Sequence, residues 1–222
     1  MKTLAVIQPS FMPWRGYFDI IDRSDVFVFY DHVQYDKNGL RNRNRILLKD
    51  QIKWLTLPVK KAKLGTKIKD IKIHNSKLEL DKIKRIIYEA YNKHPNFNFF
   101  YDFLNKIFDE KNWISLSELN IKIIRQICDL LLIKTSFRLS SELNNIKDKN
   151  LNLVKLCKFF NCDTYLSGEG GKNYINEELF RQNDINLTWH EWREIQYKQF
   201  NSNRYFEKLS IIDYIFNHET NK

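Results

Sequence analysis

Short apolar runs alternate with amphipathic stretches along this chain, and the change of period marks its elements. Thr3 to Gln8, centred on Leu4 to Ile7, reads as a buried strand. Pro9 and Pro13 then impose a loop, because proline fixes its own φ and restricts the residue before it. Trp14 to Arg23 puts Tyr17, Phe18 and Ile21 on one side of a short helix, and Val26 to Tyr30 is a second apolar strand. Strand, loop, helix and strand in this order predict two parallel strands joined by a right-handed crossover.

Arg43 to Val59 reads as a hairpin, with Ile46–Leu48 and Trp54–Leu57 flanking a turn at Lys49–Gln51. Ile68, Ile71 and Ile73 sit in a further strand-like segment. Helical spacing then runs through Lys77 to Asn92 and Phe97 to Glu110, broken at His94-Pro95. Ser115-Leu-Ser-Glu118 is a capping box opening a long helix through Leu132. A strand is expected at Phe137 to Leu139, a helix at Asn152 to Phe160 and a strand at Thr164 to Ser167. After the Gly-rich turn Gly168–Gly171, the last strand is expected at Ile185 to Trp189 and the last helix at Leu209 to Phe216. The expected fold is Rossmann-like α/β: a mostly parallel sheet with flanking helices and a small β-hairpin insertion. The 222 residues suit one such domain over 1–222, with room for a helical subdomain at about 77–133.

Composition narrows the classes. Hydrophobic residues make up 43% of the chain, enough for a sizeable core, yet no run of ~20 apolar residues offers a membrane span. The apolar start is too short for a secretory leader, so a cytoplasmic protein is expected. Three cysteines, Cys128, Cys157 and Cys162, fit no zinc spacing, and Cys128 falls on an apolar helix face. No metal site is expected. His190-Glu191 is not a zincin motif, since Glu194 stands where the second histidine belongs. No nucleophile elbow, zinc finger, helix-turn-helix or RNP pattern occurs, so nucleic acid is not the expected partner. The net charge of +10 fits an anionic partner, but lysine-rich usage throughout explains it equally, so local clusters weigh more than the total.

Three segments follow strands, where open α/β sheets bind ligands. The first contains Gln8, whose amide sits at a strand end, and Trp14, Gly16 and Tyr17. The second runs from Asp31 to Arg45 and offers Asp31, His32, Gln34, Tyr35 and Asn42. Its Arg41, Arg43 and Arg45, two apart, share a face if extended and suit a phosphate or carboxylate. The third, Tyr165 to Tyr174, places Ser167, Gly168, Gly170, Gly171 and Tyr174 where backbone amides could cradle phosphate. Each also has a purely structural explanation: a rigid aromatic turn, a charged edge strand, a tight glycine turn.

Together these segments carry a resemblance. Gln8-Pro9-x-x-x-Pro13-Trp14-x-Gly16-Tyr17-Phe18, Asp31-x-Val33-Gln34-Tyr35 and Asn42-Arg43 resemble the signature of the WbqC-like family. Trp54-Leu55-Thr56-Leu57-Pro58-Val59 and Tyr165-Leu166-Ser167-Gly168-x-Gly170-Gly171-x-x-Tyr174 continue it. The resemblance implies a part in surface-polysaccharide (O-antigen) synthesis, as a glycyl or other acyl transferase acting on amino sugars. A second likeness, to nucleotidylyltransferases such as pantothenate synthetase, covers the first strand, loop and helix. There Trp14-Arg15-Gly16-Tyr17 fills the H-x-G-H register, and both histidines are missing.

The favoured expectation is a transferase moving an acyl or aminoacyl group to a nucleotide-linked amino sugar. Asp31 or His32 would serve as base, and Gln8, Gln34 or the Gly168–Gly171 amides as oxyanion donors. The arginines would hold a diphosphate, and Trp14, Tyr17 and Tyr35 would stack on a base or sugar. The partner is a nucleotide sugar or another phosphorylated small molecule, with the acyl donor and any cofactor unassigned. The alternatives are a nucleotidylyltransferase-like enzyme and a non-catalytic glycan- or RNA-binding protein.

Overall fold

The structure is a computed structural model that describes residues 1–143, 148–200 and 202–218. In chain order its elements are β1 (Thr3–Ile7), α1 (Arg15–Asp22), β2 (Val26–Phe29), β3 (Arg43–Leu48) and β4 (Gln51–Thr56). There follow α2 (Ser76–Tyr91), α3 (Phe97–Asp109), α4 (Leu116–Leu130), β5 (Ser136–Leu139) and α5 (Lys149–Phe159). Last come β6 (Thr164–Ser167), α6 (Glu177–Arg181), β7 (Asn186–Trp189) and α7 (Ile211–Asn217). They form two compact units, each discontinuous in sequence.

The first unit takes Met1–Gln8, Gly16–Val33 and Cys128–Arg193. Its five strands pair in parallel in the order β5-β2-β1-β6-β7. The order grows in one direction from β1 through β2 to β5 and in the other through β6 to β7. It therefore reverses between β1 and β6, the switch point at which doubly wound sheets open a crevice. Every residue of β2 is buried, as a strand covered on both faces must be. On one face Leu4, Val26, Val28 and Tyr165 pack with Leu153, Val154, Leu156 and Cys157 of α5 and with Phe180 of α6. On the other, Phe27 meets Tyr17 of α1 edge-on at 5.6 Å, and Phe29 stacks on Phe137 at 5.5 Å.

The second unit takes Pro9–Arg15, Gln34–Ile127 and Glu194–Lys222. It holds the antiparallel β3–β4 hairpin, with Arg43 opposite Thr56 and Leu48 opposite Gln51. It also holds α2, α3, most of α4, and α7. Glu118 N donates to Ser115 Oγ at 3.3 Å, so the expected cap opens α4. Asp213 of α7 is wholly buried, taking hydrogen bonds from Tyr91 Oη at 3.0 Å and Tyr197 Oη at 2.7 Å.

The parallel sheet, its flanking helices and the separate hairpin agree with the sequence expectation. One strand does not form. Residues 68–70 make a 3-10 turn, and Ile73 joins only an isolated bridge to Val59. Ile68, Ile71 and Ile73 are all buried, so their spacing reports burial and not a ladder. Asp148 caps α5 by accepting from Leu151 N at 2.9 Å, three residues before the start expected from the apolar pattern. The three cysteines are buried and unbridged. Burial pushes the Cys128 and Cys157 thiols up to about 12, which suits packing and not thiolate chemistry. No helix among the described residues is long and apolar enough to cross a membrane.

Candidate functional site

Because all five strands of the first unit are parallel, their carboxyl ends share one edge of the sheet. Gln8 follows β1, Asp31 and His32 follow β2, Ser140 and Ser141 follow β5, Ser167 ends β6, and His190 follows β7. Register fixes the neighbours: Ile7 stands beside Phe29, and Ala5 beside Leu166. Gln8 and the Ser167–Gly168 corner therefore flank the switch point. Tyr17 Oη donates to Gln8 O at 3.1 Å and ties the strand end to α1.

The most developed polar group lies after β2 and β5. Asp31 is buried, and both its carboxylate oxygens are engaged. Oδ1 accepts from Ser140 Oγ and from Ser141 N, each at 2.9 Å, and Oδ2 accepts from Ser141 Oγ at 2.7 Å. Ser140 Oγ in turn lies 2.7 Å from His32 Nδ1. A hydroxyl has one proton to give. If Ser140 spent it on His32, its oxygen would face the Asp31 carboxylate without a proton between them. The proton therefore goes to Asp31, Ser140 Oγ accepts, and His32 carries its proton on Nδ1. In the neutral ring the lone pair is then on Nε2, the hydrogen bond at Nδ1 setting the tautomer. The ring also stands edge-on to Tyr30 at 4.8 Å, which limits its rotation.

The β6 corner is built on close approach. A Cβ at Gly171 would collide with Ser167 Oγ and come within 2.8 Å of Ile175 Cδ1 and 3.1 Å of Trp189, whereas at Gly170 it would meet nothing within 4 Å. Gly171 N donates to Gly168 O at 2.9 Å, so this amide is taken up by the 3-10 turn Glu169–Asn173. Tyr174 is exposed beyond that turn, with Lys149 Nζ 5.8 Å from its ring centre. His190, on the same edge, puts Nε2 2.5 Å from Asp19 Oδ2, an oxygen that also accepts from Arg23 Nε at 2.6 Å. Gly16 is buried in α1.

The other candidates belong to the second unit. Tyr35 Oη donates to Asn42 Oδ1 at 2.9 Å, and Asn42 Nδ2 donates to Leu57 O at 2.9 Å, so Asn42 joins the Tyr35 segment to the hairpin. Burial, then the neighbouring Asp36, raise the Tyr35 phenol, while Arg43 and Arg41 oppose them. The three arginines have separate partners. Arg41 pairs with Asp36 at 3.3 Å, and Arg45 donates to Lys208 O at 2.9 Å. Arg43 donates to Asn38 O at 2.5 Å, lies 4.5 Å over the Trp54 ring, and has a buried Nε without a hydrogen bond. Gln34 is exposed and bridges to Lys67. Trp14 bridges to Ser210. Just before it Met12 takes a left-handed φ of 43°, held by Asn44 Nδ2 at 2.8 Å and Ser210 Oγ at 2.7 Å on its carbonyl.

The model of the WbqC-like protein family matches residues 8–222. The chain belongs to the WbqC-like family. A relative from Mycobacterium tuberculosis, the uncharacterized protein Rv1507c, is 33% identical to this WbqC-like chain over 220 residues. The alignment covers 98% of the chain and 94% of the relative. No solved structure matches. Among the described residues of this WbqC-like protein, no cluster of three or more metal-ligating side chains occurs. Sequence reasoning missed Ser140, Ser141 and the contact of His190 with Asp19. A signal existed for the serines, a Ser-Ser pair directly after the strand at Phe137–Leu139.

Proposed function

We propose that this WbqC-like protein is a transferase that moves an acyl or aminoacyl group onto the amine of a nucleotide-linked amino sugar during surface-polysaccharide synthesis. The pathway comes from the family resemblance. The chemistry rests on one observation, the Asp31–Ser140–His32 relay at the carboxyl edge of the parallel sheet. An amine attacks a carbonyl only as the neutral base, so its extra proton needs an acceptor. His32 Nε2, with its lone pair set by the relay, is that acceptor. The ammonium's proton passes through His32 to solvent. As the neutral amine's nitrogen bonds to the acyl carbon it gives a second proton to His32, the bond to the donor's leaving group breaks, and the leaving group takes the electron pair and that second proton. Asp31 and Ser140 are positioning residues in this reading, because Asp31's oxygens are already engaged. Gln8 is the proposed donor to the developing oxyanion. For the second unit we propose anion binding at Arg41 and Arg43, where the guanidinium fork suits phosphate.

Steady-state kinetics with a panel of amino-sugar nucleotides and acyl donors test the reading. His32→Gln is expected to lower kcat about 100-fold or more with little change in KM. Ser140→Ala should lower kcat less and shift the acidic limb of the pH–rate profile, as loss of tautomer control would. Release of pyrophosphate from ATP or CTP, with no acyl product, would replace the transferase by a nucleotidylyltransferase. Tight glycan or RNA binding without turnover would make the protein a binding module.

A further inference from the structure

The net charge of the chain is carried by one stretch. Residues 36–77 carry thirteen lysines and arginines against three aspartates, a net +10. That equals the formal net charge of the whole chain, so everything outside the stretch balances to zero. Lysine-rich usage spread evenly along the chain cannot produce this distribution.

The fold then gathers the stretch. Within the second unit Lys60 N donates to Lys72 O at 2.8 Å, His74 N donates to Pro58 O at 3.0 Å, and Val59 bridges to Ile73. The two ends of the loop are thus held together. Inside it, Thr66 N returns to Lys63 O at 3.1 Å, and Gly65 takes a φ of 85° to make the tip. The ten lysines of 36–77 are all exposed, and among the described residues none forms an ion pair. The arginines of the stretch are only partly exposed and are occupied by their own partners. Three apolar side chains of the stretch are exposed: Leu64 at the loop tip 95%, and Trp54 49% and Ile52 40% on β4. Ile52 and Trp54 lie on one face of the hairpin, opposite Leu47 and Arg45.

We propose that this lysine-rich surface docks on an anionic phospholipid bilayer. Unpaired like charges at this density repel one another unless an anionic partner covers them. Lysine is a hydrated point charge that suits a fluid layer of headgroups, and each one near such a surface adds an independent increment of attraction. Exposed Leu, Ile and Trp between cations are what an interfacial contact uses to enter the boundary between headgroups and acyl chains. A surface for single-stranded nucleic acid would add several aromatic platforms for the bases. Trp54 is the one exposed aromatic of the stretch, with Arg43 already against its ring. The proposal stands apart from the chemistry at the sheet edge.

Vesicle co-sedimentation of the full chain decides it. The protein should bind phosphatidylcholine vesicles containing about one-third phosphatidylglycerol and ignore pure phosphatidylcholine, with binding lost as salt rises. The combined variant Lys60→Gln, Lys61→Gln, Lys63→Gln should lower partitioning about 100-fold, from roughly fivefold per lysine. Leu64→Ser should lower it about tenfold while leaving the salt dependence unchanged. These side chains are exposed, so an unchanged melting temperature checks that both variants fold. Equal binding to the two vesicle types, or none, overturns the proposal. So does tighter binding to polyuridylate than to anionic vesicles at the same salt, lost in the lysine variant, which would assign the surface to RNA.

Discussion

Single residues decide the β6 corner and the acid response. At Gly171 an added methyl collides with Ser167 Oγ, which can rotate, and with Ile175 and Trp189, which are packed. Gly171→Ala is expected to cost about 1–3 kcal/mol in urea unfolding, while Gly170→Ala, with open space around it, stays near wild type. In the second unit two buried groups pull stability in opposite directions with pH. His94 has both ring nitrogens buried without a hydrogen bond, and burial lowers its pKa from 6.5 to about 4. Below pH 6.5 the unfolded chain takes a proton that the fold refuses, so acid destabilises through His94. Burial likewise raises Asp213 from 3.8 to about 6, the bonds from Tyr197, Tyr91 and Gln199 only partly offsetting it. Between pH 6 and 4 the fold keeps a proton that the unfolded chain has released, so acid stabilises through Asp213. The two slopes oppose over the same window. Relative to wild type, His94→Phe should gain stability as pH falls from 6 to 4, and Asp213→Asn should lose it. Thermal melts across pH 4–7 that show parallel curves for all three proteins would refute this pairing.

At the scale of elements, the β3–β4 hairpin turns on one residue that is poor at turning, Lys49. Lys49 and Asp50 take φ of 50° and 58°, the doubly left-handed geometry of a two-residue hairpin turn. Asn tolerates that conformation better than Lys, and Asp50 is tied to Ser202 and best kept. Lys49→Asn should therefore raise stability by about 0.5–1 kcal/mol, read as a higher urea midpoint at unchanged slope. The hairpin was legible in the sequence because two apolar runs flank a polar turn. The β1–α1–β2 unit was legible because Pro9 and Pro13 punctuate it, and Thr164–Ser167 because all four of its residues are buried between turns. The stretch at 68–73 misled because three buried isoleucines close together look strand-like while the segment pairs only through isolated bridges. Five-residue α6 was invisible, since its start depends on Asn176 accepting from Leu179 N and not on an apolar period. The candidate base His32 was legible from its place after a strand. Its orienting serine was not, because Ser140 meets it across 108 positions only once β2 and β5 have paired.

The whole molecule is two units threaded through each other in sequence, with β1 at the centre of the sheet. Residues 128–193 contain β5, β6 and β7 but lack β2 and β1, which lie between β5 and β6. Expressed alone, this fragment should show no cooperative transition in calorimetry; a sharp, reversible melt would mean that the outer strands can pair without the centre. The same arrangement sets a timetable for synthesis. Thr3 pairs with Thr164, so the first strand made must wait for one encoded 161 residues later. At ribosomal speeds of about 5–20 residues per second, that is roughly 8–30 s. Throughout that interval β1 and β2 can close one side of the sheet, while the other edge of β1 displays unpaired backbone N–H and C=O groups on an apolar strand. Newly made chains are thus a natural client for holding chaperones, and slow synthesis lengthens the exposure where it usually helps folding.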